Sequence, residues 1–232
     1  VEMYDSLGFN YIADSRILNF KKQGPLKAKR LLIRLPSLSE LEDVVRYSDA
    51  CLISEPVVIK ALNEEAKKQG KNYEIILMVE IGDLREGLLK EDVLPAVEEI
   101  LKLENITLLG LGINTNCYGG VIPTKENLTE LIELRKKVEE TYHISLPITS
   151  GGNSGTMYMP HDLPKGITHL RIGETILFGT ESSLGGLVEN LHYDVFSVEL
   201  ELIEVRRKPS KPWGQIEKNA FGEIVSFEDK GD

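Results

Sequence analysis

A chain of 232 residues with 41 % hydrophobic side chains can bury the core of one large domain, or of one large and one small domain. Aromatic residues make up 6 %, so that core is mostly aliphatic, and 28 % charged residues argue against wholesale disorder. The 27 basic and 37 acidic residues give a net charge of -10, which excludes broad phosphate-backbone binding and with it a nucleic-acid partner.

Residues 1–7, ending at Gly8, read as the tail of a helix. They carry neither the basic flank nor the apolar stretch of a signal peptide, and no run of about 18 apolar residues follows, so no membrane partner is expected. The first strand-like run covers 11–14 and the second 30–35. Ser37 and Glu40 then form a capping box ahead of Leu41, Val44 and Val45. A third run covers 50–54. Pro56 follows at a first helical turn, with Val58, Ala61 and Leu62 on one face. The fourth run, 73–81, contains Ile75-Ile76-Leu77-Met78-Val79, which does not alternate and reads as a strand covered on both faces. Runs at 106–114, 145–149 and 169–171 complete the set. A helix marked by Leu128, Leu131 and Ile132 lies before Tyr142. Strand and helix alternate at about 25–30 residues per unit, the pattern of repeated βα units.

Seven parallel strands do not close a barrel, whereas eight do. The expected fold is α/β, a (β/α)8 TIM-type barrel whose first strand and most of whose first helix lie before Val1. The pattern changes near Asn190. Residues 195–205 alternate as a half-exposed antiparallel strand does, Pro209, Pro212 and Gly214 break the run, and 224–227 suggest the next strand. The expected domains are a barrel at 1–192 and, at 193–232, the truncated beginning of a carboxy-terminal all-β domain. Cys51 and Cys117 make no disulfide framework, and a reducing, cytoplasmic setting is the expectation.

Working groups in βα barrels lie at the carboxyl ends of the strands. After the fourth run, Gly82-Asp83-Leu84-Arg85-Glu86-Gly87 places an arginine, a rigid fork of donors for an oxyanion, between glycines; on spacing alone a plain turn with a surface Arg–Glu pair is the simpler reading. After the fifth, residues 110–124 are dense in Gly, Asn and Thr, as a ligand-facing loop or a long structural one. Cys117 in that loop has no neighbouring base in sequence and reads as a small side chain. After the sixth comes Thr149-Ser150-Gly151-Gly152-Asn153-Ser154-Gly155, and after the seventh Arg171-Ile172-Gly173-Glu174-Thr175. With one strand missing in front, these become the last two barrel loops, where amides at a helix start and a hydroxyl often hold a phosphate; two unrelated turns are the alternative. The four histidines show no metal-ligand spacing, and there is no Walker loop or dinucleotide fingerprint. Alternation places His169 and Arg171 on one strand face, where a hydrogen-bonded structural histidine is the simpler reading.

Taken together, five segments in order carry a resemblance: 12–16, Met78 to Gly87, Gly110 to Thr124, Ser150 to Ser154, and Leu170 to Glu174. The sequence resembles the alanine-racemase-like, fold-type III pyridoxal-phosphate enzymes, and within them the ornithine racemase branch of predicted amino-acid racemases. The resemblance implies pyridoxal 5′-phosphate as cofactor and racemisation of a free amino acid, ornithine or alanine-like, by two-base proton exchange at Cα in a homodimer. It implies that Arg171 faces the pyridine nitrogen. Ser154, Asn153 and the backbone around Gly173 and Glu174 would hold the phosphate, and Arg85 would lie near the phenolic oxygen and the substrate carboxylate. Asn114 would stand where alanine racemases stack a histidine on the ring. A guanidinium has only donors and stays charged, so beside the ring nitrogen it keeps that nitrogen unprotonated and the electron sink weak. The family's Schiff-base lysine would fall before Val1 and its opposite-face base beyond Asp232, so no catalytic residue is assigned within this chain. A non-catalytic pyridoxal-phosphate carrier of the same barrel type and an unrelated phosphate-binding barrel isomerase are the rival readings.

Overall fold

The computed structural model describes residues 1–231 and divides into two compact units, Val1–Val195 and Phe196–Asp232. The first unit carries seven strands: β1 Tyr11–Asp14, β2 Lys29–Leu32, β3 Ala50–Ile53, β4 Tyr73–Val79, β5 Ile106–Ile113, β6 Ile148–Asn153 and β7 His169–Arg171. They pair in chain order, every pair parallel, as a nearly closed α/β barrel with β1 and β7 at its two edges. The expected TIM-type architecture and the seven strands are therefore found. The helices are α1 Glu2–Ser6, α2 Ile17–Lys22, α3 Leu41–Tyr47, α4 Pro56–Lys68, α5 Lys90–Ile100, α6 Lys125–Tyr142 and α7 Glu174–Phe178. Among the described residues no helix is long and apolar enough to cross a membrane.

Local chemistry sets these elements. The Ser37–Glu40 capping box forms, with the Ser37 amide donating to Glu40 Oε1 at 3.0 Å, and opens a short 3-10 turn that runs into α3. Pro56 occupies the first turn of α4, where its missing N–H costs no hydrogen bond. Thr124 and Asn127 form a second capping box at the start of α6.

Alternation along the strands divides the core into two clusters. One lies between sheet and helices and includes Cys51, Ile53, Ile75, Leu77, Val79, Leu111 and Ile113. The other includes Leu31, Ala50, Leu52, Ile76, Met78, Leu109 and Ile148. Both faces of β3 and β4 are thus covered, which is why those runs do not alternate in polarity. A bulge opposite Ile75 and Ile76 leaves Leu109 unpaired and puts Gly110 against Ile76 and Gly112 against Met78.

Strand six differs from expectation. It runs from Ile148 to Asn153 rather than over 145–149, because the strand continues through Gly151 and Gly152, the latter at a φ of +117° that glycine tolerates, where β6 slips register against β7. A side chain at Gly151 would collide with Ile167 at 2.7 Å, so close packing rather than a turn accounts for that glycine. Strand two likewise stops at Leu32, short of the expected 35.

Residues 196–231 contain no helix or strand. The alternating run over 195–205 finds no partner strand among the described residues, and its apolar side chains are exposed, Ile203 at 98 %. A lone alternating segment has no ladder to join. Turns within the unit are held by Asn219, whose amide donates to the Glu223 carbonyl at 2.8 Å.

Candidate functional site

At the carboxyl ends of β5, β6 and β7 the period of two brings polar groups onto one face. β7 supplies Arg171. Its Nη1 donates to Ser150 Oγ at 2.5 Å and its Nη2 to the Ile113 carbonyl at 2.7 Å. Among the described residues no acceptor is paired with Nε. Burial pushes the guanidinium down to about 10, with Glu86 opposing that shift, Arg85 adding to it and Cys117 opposing it. It remains a cation at neutral pH. Two residues earlier on β7, His169 Nδ1 lies 2.8 Å from Ser150 Oγ. Burial, and then the Arg171 charge, push that imidazole down to about 4.

Asn114 follows β5 and is buried. Its Oδ1 is 3.5 Å from Arg171 Nη2 and 3.4 Å from Asn153 Nδ2, while its own Nδ2 has no partner among the described residues. Asn153 ends β6. Its amide nitrogen donates to the Thr115 carbonyl at 2.8 Å, and its oxygen accepts from the Gly155 amide at 2.8 Å, starting a 3-10 turn. One residue on, the buried Ser154 hydroxyl accepts from the amides of Gly173 at 3.1 Å and Thr175 at 3.3 Å. With both amides donating to the oxygen, the hydroxyl proton is left to donate elsewhere. Thr175 Oγ1, also buried, lacks a partner among the described residues. The Glu174 carboxylate accepts from Thr180 Oγ1 at 2.9 Å. The last two strand ends therefore meet, through Ser154 and the 173–175 turn.

Arg85 stands in the loop after β4. Its Nη1 donates to Cys117 Sγ at 2.6 Å, and its Nε pairs with Glu86 Oε2 at 2.5 Å. Burial raises the Glu86 carboxyl above its ordinary value although Arg85 and Arg171 both pull it down. Among the described residues Arg85 makes no hydrogen bond to the Ser154 cup; it reaches the cluster through Cys117, whose Sγ is 3.9 Å from Asn153 Nδ2. Cys117, read from sequence as a small bystander, is thus the link between two strand ends.

Sequence reasoning missed three residues here. Ser150 was seen only as part of a glycine-rich loop, yet it lies buried under Arg171. Asp83 is 1 % exposed and accepts the amides of Tyr118, Val121 and Cys117. Burial works against its charge, but those amides outweigh it and hold its carboxyl below the usual value. Glu80 takes the amides of Gly82 and Arg85. An acid beside two glycines was the available signal for such a loop staple.

Comparison with known proteins decides the family. Residues 5–181 match the model described as alanine racemase, N-terminal domain. The chain belongs to the family of the alanine racemase N-terminal domain. Two family relatives are an ornithine racemase of Acetoanaerobium sticklandii, 44 % identical over 234 residues, and a lysine racemase of Thermotoga maritima, 38 % identical over 229. These alignments cover 100 % and 97 % of this chain but 66 % and 64 % of those proteins, so the chain spans less than two thirds of either relative. In fold it resembles the alanine racemase of Clostridium difficile 630 in complex with cycloserine, with a TM-score of 0.64 and 18 % identity over 74 % of this chain and 48 % of that one.

Proposed function

We propose that this chain is the cofactor-binding barrel of an amino-acid racemase that uses pyridoxal 5′-phosphate, with a free basic or small amino acid, ornithine or alanine-like, as substrate. The observation that carries the reading is Arg171. Both its terminal nitrogens are fixed, Nε is unclaimed, and the turn that Ser154 fastens begins two residues later. One short segment thereby presents a permanent ring-nitrogen donor beside a phosphate cup.

The residues present fit the cofactor. Asn114 Nδ2 and Thr175 Oγ1 are buried polar atoms without partners among the described residues, and such atoms need one. Ser154 retains a hydroxyl proton to give to a phosphate, and the Glu174 carboxylate is held by Thr180. Ser154 and Asn153, with the backbone at Gly173 and Glu174, would hold the phosphate. Arg171 would meet the pyridine nitrogen, Asn114 would stand against the ring, and Arg85 would lie on the substrate carboxylate side. The bound cofactor supplies an electron sink for the charge left when the Cα proton departs. Arg171, unable to accept a proton, keeps that sink weak, which favours prompt return of the proton over side reactions.

The finer readings belong to the same proposal: a homodimer in the cytoplasm, a barrel at 1–192, and the opening of a β-domain from 193. Support for the substrate class comes from the ornithine and lysine racemases, and a net charge of -10 suits the attraction of cationic amino acids. The test is chiral chromatography of L-ornithine, L-lysine and L-alanine incubated with the intact protein and pyridoxal phosphate, alongside borohydride treatment. Racemised product and a borohydride-trapped cofactor are expected. Trapped cofactor without racemisation would favour a carrier, and no cofactor bound at all would remove the reading.

A further inference from the structure

We propose that Ser150 and His169 are positioning residues for Arg171: a directed hydrogen-bond relay through the buried Ser150 hydroxyl to a neutral His169 fixes which guanidinium nitrogen is left free at the barrel mouth. The direction of the relay follows from the donor inventory. Arg171 Nη1, 2.5 Å from Ser150 Oγ, can only donate. The serine oxygen is therefore the acceptor, and its single proton is free to point at His169 Nδ1, 2.8 Å away. That nitrogen must be unprotonated to receive it, which places the imidazole proton on Nε2.

The opposite arrangement fails on two counts. A protonated Nδ1 would give Ser150 Oγ two donors and strand its hydroxyl proton, in a residue with no exposed surface. A ring protonated on both nitrogens would also place an imidazolium one hydroxyl away from the Arg171 cation. Burial and the Arg171 charge both act against protonation of His169, in keeping with the geometry. On its other side the imidazole packs edge-on against the Tyr11 ring, with centroids 5.8 Å apart at 77°. That ring contact helps to hold the imidazole in place.

The consequence is orientational. Nη2 is tied to the Ile113 carbonyl at the end of β5, and Nη1 to Ser150 on β6. A planar guanidinium held at two corners cannot roll, so Nε keeps one direction. Without an acceptor at position 169, the Ser150 proton loses its direction, and the oxygen that receives Nη1 is no longer held in one orientation. The functional meaning rests on the reading that Arg171 faces the cofactor; the relay itself does not.

The experiment has two arms. In the first, nitrogen NMR of the intact, cofactor-free protein with labelled histidine is read at neutral pH. The expected result is a single His169 tautomer, with Nδ1 unprotonated and Nε2 protonated; a protonated Nδ1 overturns the proposal. In the second, pyridoxal phosphate is titrated into the unsubstituted protein, His169→Leu and His169→Asn. Loss of the acceptor in His169→Leu should weaken binding about fivefold, the usual scale of one hydrogen bond, whereas His169→Asn, whose amide oxygen can take the Ser150 proton, should stay within about twofold. Equal affinity in all three overturns the proposal. Should His169→Leu fail to fold, the tautomer in the unsubstituted protein still decides. A correct tautomer in a protein that binds no pyridoxal phosphate would leave the relay standing and remove the cofactor reading instead.

Discussion

Asp83 accepts the backbone amide of Tyr118 at 3.0 Å, and the same carboxylate takes those of Val121 at 3.1 Å and Cys117 at 3.3 Å. One side chain from the β4 loop thereby folds the β5 loop and sets the sulfur that Arg85 meets. Asp83→Ala should cost about 1–3 kcal/mol, the usual penalty for stranded buried donors, and should loosen residues 115–121 in hydrogen exchange. The pH dependence has a definite sign. The folded carboxyl lies below its unfolded value, so its contribution is complete above the unfolded value and is lost as pH falls through the folded one. Urea unfolding across the acid range should show a steeper loss in the parent than in Asp83→Ala; parallel curves would refute the staple.

Glu86 has the opposite sign. Burial raises its carboxyl despite the pull of Arg85 and Arg171, so the folded protein holds that proton more readily than the unfolded chain. Stability from this group is complete below the unfolded value and declines as pH rises through the folded one. Glu86→Gln removes that slope. Because the Arg85 side chain is 41 % exposed, water can replace the lost ion partner, and stability at neutral pH should change by less than about 1 kcal/mol. A loss several times larger would mean that Arg85 depends on Glu86 as a buried pair does.

Gly110 sits where two strands nearly touch. A Cβ there would lie 1.8 Å from the Ile148 carbonyl oxygen, and neither partner is a side chain that can swing away. Gly110→Ala should force β5 and β6 apart and cost more than about 3 kcal/mol, the upper range of core overpacking. At Gly24 a Cβ meets nothing, and Gly24→Ala should stay within about 0.5 kcal/mol. Thermal unfolding of the two variants compares them directly; similar midpoints would disprove the close approach.

The strands were legible because both faces of β3 and β4 are apolar, and burial on two sides leaves that mark in sequence. The end of β6 was not. Gly151 and Gly152 carry the signal of a turn, and nothing local says that Ile167 presses on position 151. Around the candidate site, alternation put His169 and Arg171 on one face but could not name the residue across the ladder, so Ser150 emerged only when β6 and β7 were seen paired. Cys117 was hidden for the same reason: its partner Arg85 lies 32 positions away in another loop.

Substitution of Arg171 itself tests the racemase reading most directly. In the intact protein, Arg171→Glu exchanges a group that can only donate for one that accepts a proton shared with the ring nitrogen. A carboxylate here would also face Glu86, which loses the favourable Arg171 charge and should titrate still higher. If Arg171 faces the pyridine nitrogen, the ring then holds a proton, the electron sink strengthens, and proton return to Cα becomes the slower step. Racemisation should fall, and transamination should rise relative to it. Ser150 would lose its Nη1 donor as well, so the hydroxyl should turn and the His169 tautomer should cease to be fixed. The measurement is the ratio of pyridoxamine phosphate formed to substrate racemised, in variant and parent, with cofactor content determined in both. A ratio unchanged while cofactor remains bound would take Arg171 away from the ring nitrogen.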